Sequence, residues 1–233
     1  MPSLARRLTA EALGTFGLVF IGAAVVVVNG GFPNSGIGLL GIALAHAVVL
    51  SVMVTATMTI SGGHLNPAVT VGLLATRRID PVSAAGYIAA QLVAAVAAAF
   101  LVGVLLPEHA VKAAMFGAPV IASSVSLGQA IGIELVLTFF LVSAVFGTAV
   151  SPDAPRVGGF GIGLVLLFDI LVGGPLTGAA MNPARAFGPA AVAGAWVGQL
   201  VYWIGPILGG LLAAVLWEYV LLPRATPRRR RSD

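Results

Sequence analysis

Residues 61–70 read SGGHLNPAVT and residues 177–186 read TGAAMNPARA. Each stretch carries Asn-Pro-Ala after a turn of small residues, and each interrupts sequence that is otherwise continuously apolar. Proline at the first position of a helix loses no hydrogen bond and brings its φ pre-set, so Pro67 and Pro183 mark helix starts. Asn66 and Asn182 then fall at N-caps, where the side-chain oxygen accepts a first-turn N–H and the carboxamide NH₂ is left to point elsewhere. The apolar run after Pro67 ends at Thr76, before Arg77 and Arg78. About ten residues at ~1.5 Å each give ~15 Å, half of a ~30 Å hydrocarbon core. Two such half-helices entering from opposite faces add up to one crossing, with both positive dipole ends and both Asn donors meeting at mid-membrane. Irregular backbone survives at that depth only where it is buried in protein or lines a wet cavity, so the paired inserts point to a pore.

The rest of the chain is written for a bilayer. Of 233 residues, 59% are hydrophobic and only 9% charged, against roughly 25% charged in ordinary soluble domains. Cysteine is absent, which excludes disulfides, thiolate metal sites and thiol redox chemistry. The net charge of +4 owes much to the arginine run 228–231. That run reads as a topology and lipid-headgroup signal, so membrane lipids rather than nucleic acid are the expected partners. The first apolar run is of full spanning length and lacks a cleavage pattern, so no cleavable signal peptide is expected.

Apolar runs of spanning length occur at 8–28, 37–60, 84–106, 127–150, 157–173 and 195–222. This predicts an all-α membrane protein of six transmembrane helices, with the two re-entrant half-helices after the second and fifth. Arg6, Arg7, Arg77, Arg78, Arg156 and the tail cluster all fall on one side of such a layout, which predicts cytoplasmic termini. The chain reads as a single channel domain, 1–233, built from inverted repeats 1–106 and 125–222 with a basic tail at 223–233. Glu11-x-x-x-Thr15-Phe16 matches Glu134-x-x-x-Thr138-Phe139, the Asn-Pro-Ala inserts match, and Gln91-Leu-Val matches Gln199-Leu-Val. Each half has three spans, so the second copy enters from the opposite side, an arrangement that places a pathway at the interface of the halves.

Charges inside the spans are expensive and so are informative. Glu11 and Glu134 sit in equivalent places, where each can accept from loop N–H groups or from His64, or else relay protons. Arg185 follows the second Asn-Pro-Ala directly, and the cost of facing lipid predicts that it lines the pathway. Asp169 has no assigned role, and Glu218 and Lys112 read as interfacial. Gly41, Ala45, Gly163, Gly205 and Gly209 with Gly210 read as close helix packing. No nucleophile–base pair or metal cluster falls in the spans, which argues against a membrane enzyme and against any cofactor. A coupled secondary transporter would share the inverted repeats and half-helices, but the paired inserts offer neutral Asn and no carboxylate.

SGGHLNPAVT, MNPARAFGPA, the Glu-x-x-x-Thr-Phe opening and the internal repeat together resemble the aquaporins, or major intrinsic proteins, over nearly the whole chain. The resemblance implies a passive, homotetrameric channel with one pore per protomer and a constriction at the motifs Asn66, Pro67, Ala68 and Asn182, Pro183, Ala184. It further implies an outer filter at His46, Ile170, Ala179 and Arg185. Water-selective members carry Phe and His where this sequence has His46 and Ile170, which implies a wider and differently polarised opening. The set resembles the vacuolar-type branch that passes ammonia and other small neutral solutes, here ammonia, hydrogen peroxide and urea; a strictly water-selective channel is the alternative. Ala186, Ala190, Tyr202 and Trp203 are the water-channel rather than glycerol-channel choices. Short termini point to a bacterial cell inner membrane.

Many members of that family are blocked by mercurials at a pore cysteine. With no cysteine in this sequence, water flux into proteoliposomes is expected to persist in mercuric chloride. Full, thiol-reversible block of the purified protein would contradict this.

Overall fold

Ser3 begins the described fold by accepting the Arg6 N–H and capping α1, Leu4–Gly31. α2 is Gly38–Thr57, α3 Pro67–Ala75, α4 Pro81–Leu105 and α5 a single turn or so at Glu108–Ala113. α6, Leu127–Val145, opens with a capping box between Ser126 and Gln129 and runs on as a π-turn at Phe146–Val150. α7 is Phe160–Thr177, α8 Pro183–Ala193, and α9 Val201–Leu216 continues as a second π-turn, Trp217–Leu221. This computed structural model describes residues 2–223, so the expected tail beyond them, with the arginine run 228–231, lies outside the described residues.

Six of these helices are long and apolar enough to cross a membrane, as the sequence predicts. No more than 44% of any spanning window is fully buried within the chain. What faces outward is apolar: Val93, Phe100, Val172 and Leu40 are all more than 60% exposed. What is fully buried includes Glu11, Thr15, Gln91, Glu134 and Thr138, each at 0%. This reversal of the soluble pattern is what hydrocarbon demands, since polar groups there must find partners inside.

The two half-helices lie where expected, nine and eleven residues long. Each packs against the other half of the chain: α3 against α9, and α8 against α4. The remaining major packings, α1 with α4, α6 with α9, and α2 with α7, obey the same two-fold exchange. Small residues make these approaches possible. A Cβ on Gly210 would stand 2.9 Å from the Ala68 carbonyl oxygen, and one on Gly72 3.1 Å from that of Gly210. Gly188 is pressed in the same way against the Ala95 carbonyl, and Gly163 against Ser51 and the Ala47 carbonyl. Gly205 and Gly209 meet α6 backbone, as the sequence reading expects, whereas Gly41 meets only Ile37 beside it in its own chain segment. Gly41 is therefore not a helix-packing position within this chain.

Two span boundaries move for local reasons. Gly194 ends α8 in the left-handed region (φ 70) and Gly198 is left-handed too (φ 72), so 195–200 is turn and the sixth span starts only at Val201. Gly158 (φ 57) likewise delays α7 to Phe160, and α7 then runs past its expected end at 173 to the left-handed Gly178. The segment 107–126 contains α5 and folds Phe116 and Gly117 back onto α4 and α1, against Gly103 and Ala23.

Where a Cβ would meet rigid backbone, overpacking costs about 1–3 kcal/mol or more. Gly188→Val is expected to lower the thermal stability of the purified protein by that amount, because the Ala95 carbonyl cannot yield. Gly30→Ala, with nothing within 4 Å of the added carbon, is expected to leave it unchanged within error. Comparison of the two melting curves checks this.

Candidate functional site

The two loops that lead into α3 and α8 are strained and held. Leu65 (φ 50), Ala179 (φ 45) and Met181 (φ 52) are left-handed without being glycine, at a cost of order 1–3 kcal/mol each. What holds them is a buried carboxylate in each half. Glu11 Oε1 accepts from Ser61 Oγ (2.6 Å) and the His64 N–H (3.0 Å), and Oε2 accepts from the Leu65 N–H (2.7 Å) and Gln91 Nε2 (2.9 Å). Glu134 Oε1 accepts from Thr177 Oγ1 (2.7 Å) and the Ala180 N–H (2.9 Å), and Oε2 from the Met181 N–H (2.7 Å). A tyrosine closes each arrangement: Tyr87 donates to the Ser61 carbonyl (2.7 Å) and Tyr202 to the Thr177 carbonyl (2.8 Å).

The Tyr87–Tyr202 equivalence corrects the repeat. It sets Gln91, which donates to Glu11 from inside α4, level with Pro206 of α9, while Gln199 lies in the turn before α9. The match of Gln91 with Gln199 is therefore a coincidence of letters. His64 also differs from expectation in detail. It is the backbone N–H of His64 that meets Glu11, whereas the ring Nδ1 pairs with Thr70 Oγ1 at 3.1 Å.

Held in this way, the loops deliver the two asparagines to one place. Asn66 Oδ1 accepts the Ala68 N–H (2.8 Å) and Asn182 Oδ1 those of Ala184 (3.0 Å) and Arg185 (3.3 Å), so both are N-caps with Pro67 and Pro183 next in line. The carboxamide NH₂ groups are not wholly free. Asn66 Nδ2 donates to the Met181 carbonyl (2.9 Å) and Asn182 Nδ2 to the Leu65 carbonyl (2.8 Å), each reaching across to the other loop. A carboxamide has two N–H bonds, so one on each asparagine remains for whatever occupies the space between them.

That space is a narrow cavity whose lining includes both asparagines, His46, His64, Ile170, Ala179 and Arg185. Its walls are apolar stripes at helical spacing: Leu50 and Val54 below His46 on α2, Ile162 and Leu166 below Ile170 on α7, Leu141 and Val145 on α6. A second cavity of about 220 Å³, lined also by the 117–120 segment, shares His46, Ile170 and Arg185 with the first. A third, on the side of Pro2 and Arg77, shares His64. The three together trace a route through the protein, with His46, Ile170 and Arg185 at one junction and His64 at the other.

His46 Nδ1 lies 2.9 Å from the Ile42 carbonyl, which can only accept, so Nδ1 is the donor and in the neutral ring Nε2 is an acceptor. Nε2 is buried without a protein partner, against Gly22, where a Cβ would stand at 2.5 Å. Arg185 is 6% exposed and its Nη1 has no protein partner. Asp169 is buried on α7 with Oδ2 unpartnered, and it does not line the cavity. Of the positions read as water-type, Tyr202 ties the second loop, Ala186 and Ala190 are buried packing positions and Trp203 meets Phe187 edge-on, all away from the cavity. Sequence reasoning missed Tyr87, Gly22 and the wall stripes. The i, i+4 spacing of 46, 50, 54 and of 162, 166, 170 could have revealed the stripes, but in a chain apolar on every face it carried no contrast.

Residues 1–217 match the family model for major intrinsic proteins. Aquaporin TIP4-4 of Zea mays is 44% identical over 222 residues, covering 91% of this chain and 85% of the relative. Aquaporin TIP4-1 of Arabidopsis thaliana is 43% identical over 229 residues, covering 96% and 89%. Among solved structures, an aquaglyceroporin from Plasmodium falciparum superposes with a TM-score of 0.81 over 94% of this chain and 97% of that one, at 24% identity, a likeness of fold. With crossed half-helices at its centre and relatives of this kind, the chain belongs to the major intrinsic protein family and is a passive membrane channel of the aquaporin type.

Proposed function

We propose that the channel conducts water together with ammonia, hydrogen peroxide and urea, while excluding protons and ions. The observation that carries this reading is the junction of His46, Ile170 and Arg185 between the central cavity and the outer one, with Ala179 close by in the cavity lining. An aliphatic Ile170 and a methyl at Ala179 leave room, the His46 ring forms one wall with its Nε2 turned to Gly22, and the guanidinium of Arg185 can orient a small polar molecule. At the centre, two half-helix N-termini, the spare N–H of Asn66 and of Asn182, and the charge of Arg185 all oppose a cation. Glu11 and Glu134 act as supports of the loops: their oxygens are occupied by loop and side-chain donors, which leaves a coupled transporter no midplane carboxylate in the pathway.

On this reading the repeats 1–106 and 125–222 form one channel domain, the assembly is a homotetramer, and the arginine-bearing ends and both termini face the cytoplasm. The relatives reported above are plant proteins and give no support to a bacterial inner membrane.

Replacing His46 with Phe and Ile170 with His installs a narrower ring. Ammonia permeability is expected to fall by roughly tenfold, equivalent to about 1.4 kcal/mol of barrier, with water permeability largely kept. Paired stopped-flow measurements on proteoliposomes read the ratio, and an unchanged ratio would make His46 a packing residue. Glu134→Gln separates support from proton relay. The amide NH₂ cannot accept whichever of the Met181 and Ala180 N–H groups faces it, so a loss of about 1–3 kcal/mol in stability is expected, together with falling water flux. Full stability with altered proton leak would favour the relay.

A further inference from the structure

The third cavity holds charges that conduction does not use. It opens between the start of α1, the turn after α3 and the start of α4, and encloses about 1290 Å³ counted out to solvent. Three arginines line it, Arg7, Arg77 and Arg78, with Asp80. Arg78 is committed, its Nε 2.6 Å from Glu218 Oε2 and its guanidinium 6.0 Å from the Phe146 ring centre. Asp80 is committed too, accepting the Ser83 N–H at 2.9 Å as the N-cap of α4. Arg7 and Arg77 remain. Neither has a carboxylate partner among the described residues.

Arg7 is held in place by neutral groups, with the Asp80 carboxylate near enough to act on it through its charge but outside ion-pair distance. Its Nη2 donates to Ser83 Oγ (3.1 Å), its guanidinium lies 6.0 Å from the Tyr87 ring centre, and its Nε is buried with no partner at all. A buried N–H without an acceptor is costly, and a planar guanidinium fixed on one edge presents its other donors to the cavity in a fork suited to two oxygens. Arg77 lines the same cavity from the turn after α3 and is exposed. Arg7 and Arg77 outnumber the one carboxylate of the lining, Asp80, whose charge also acts on Arg7, and the excess positive charge with the guanidinium donors suits an oxyanion with several terminal acceptor oxygens.

We propose that this mouth is a binding site for a phosphate monoester-type oxyanion, gripped between Arg7 and Arg77. The group could be free in solution or carried on a lipid headgroup, since the cavity opens where α1 and α4, two helices of membrane-spanning length, begin. Because His64 lines both this cavity and the central one, an anion seated here stands at the end of the pathway and lowers water permeability. That consequence rests on the channel reading; binding itself does not.

The direct test is calorimetric titration of the purified full chain with inorganic phosphate. Saturable binding is expected, weakened about tenfold or more by Arg7→Gln and by Arg77→Gln, each of which removes a charged donor. The membrane arm compares water permeability in vesicles containing phosphatidylinositol 4-phosphate with vesicles containing phosphatidylinositol. A lower permeability with the monoester that Arg77→Gln abolishes assigns the site to a headgroup, while variant-sensitive phosphate binding alone assigns it to a soluble anion. Absence of both effects, or effects that the variants leave unchanged, overturns the proposal. Arg77 is exposed, so its variant decides the matter even if Arg7→Gln does not fold.

Discussion

Two carboxylates, Glu11 and Glu134, take up the backbone N–H groups that a broken helix leaves unsatisfied in the middle of a membrane. A re-entrant loop at that depth has no water to turn to, and each orphaned N–H or C=O would cost several kcal/mol. Placing an acceptor with two oxygens beside the loop solves this, and the loop donors in turn make the burial of the charge tolerable. The left-handed residues Leu65 and Met181 are sustained by the same bonds, and their carbonyls are thereby aimed across at Asn182 and Asn66. The geometry of the constriction thus descends from two side chains that do not touch it.

The two halves are tied with unequal strength. The first loop has Gln91 and Thr70 as well as Glu11, whereas the corresponding places in the second are Pro206 and Ala186, which offer no donor. The second half spends those positions on close approach instead: Ala186 lies fully buried in a small apolar cluster with Tyr202, and α9 carries the glycines that let α3 and α6 come near. One half is anchored by hydrogen bonds and the other more by contact of small residues.

The features legible in the sequence were those with local physical causes. Asn-Pro at a helix start, the length of the run after Pro67, and apolar spans of membrane length each follow from a few neighbouring residues. The expectation for Arg185 rested on cost alone, and the residue lies in the cavity lining. What depended on which face of an apolar helix points inward was hidden, because Leu50 and Val52 look alike in sequence although one lines the cavity and the other faces outward. Gln199 shares its letters with Gln91 but not its place, because the turn at 194–200 puts it ahead of α9, a displacement that the letters alone do not carry. Asp169 remained without a role in the sequence and is buried in the fold with an oxygen unpartnered; the structure offers no physical account of it.

The crossed bonds from Asn66 to Met181 and from Asn182 to Leu65 join residues 115 and 117 apart in the chain. Chains are made and inserted from the N-terminus, at about 5–20 residues per second. For several seconds, therefore, the first loop exists with its asparagine donor and its Leu65 carbonyl unmatched, held only by Glu11, Gln91 and Tyr87. The surplus of ties on that half is what a nascent chain would need in order to wait, and the second loop, which arrives to find its partner already in place, can manage with fewer.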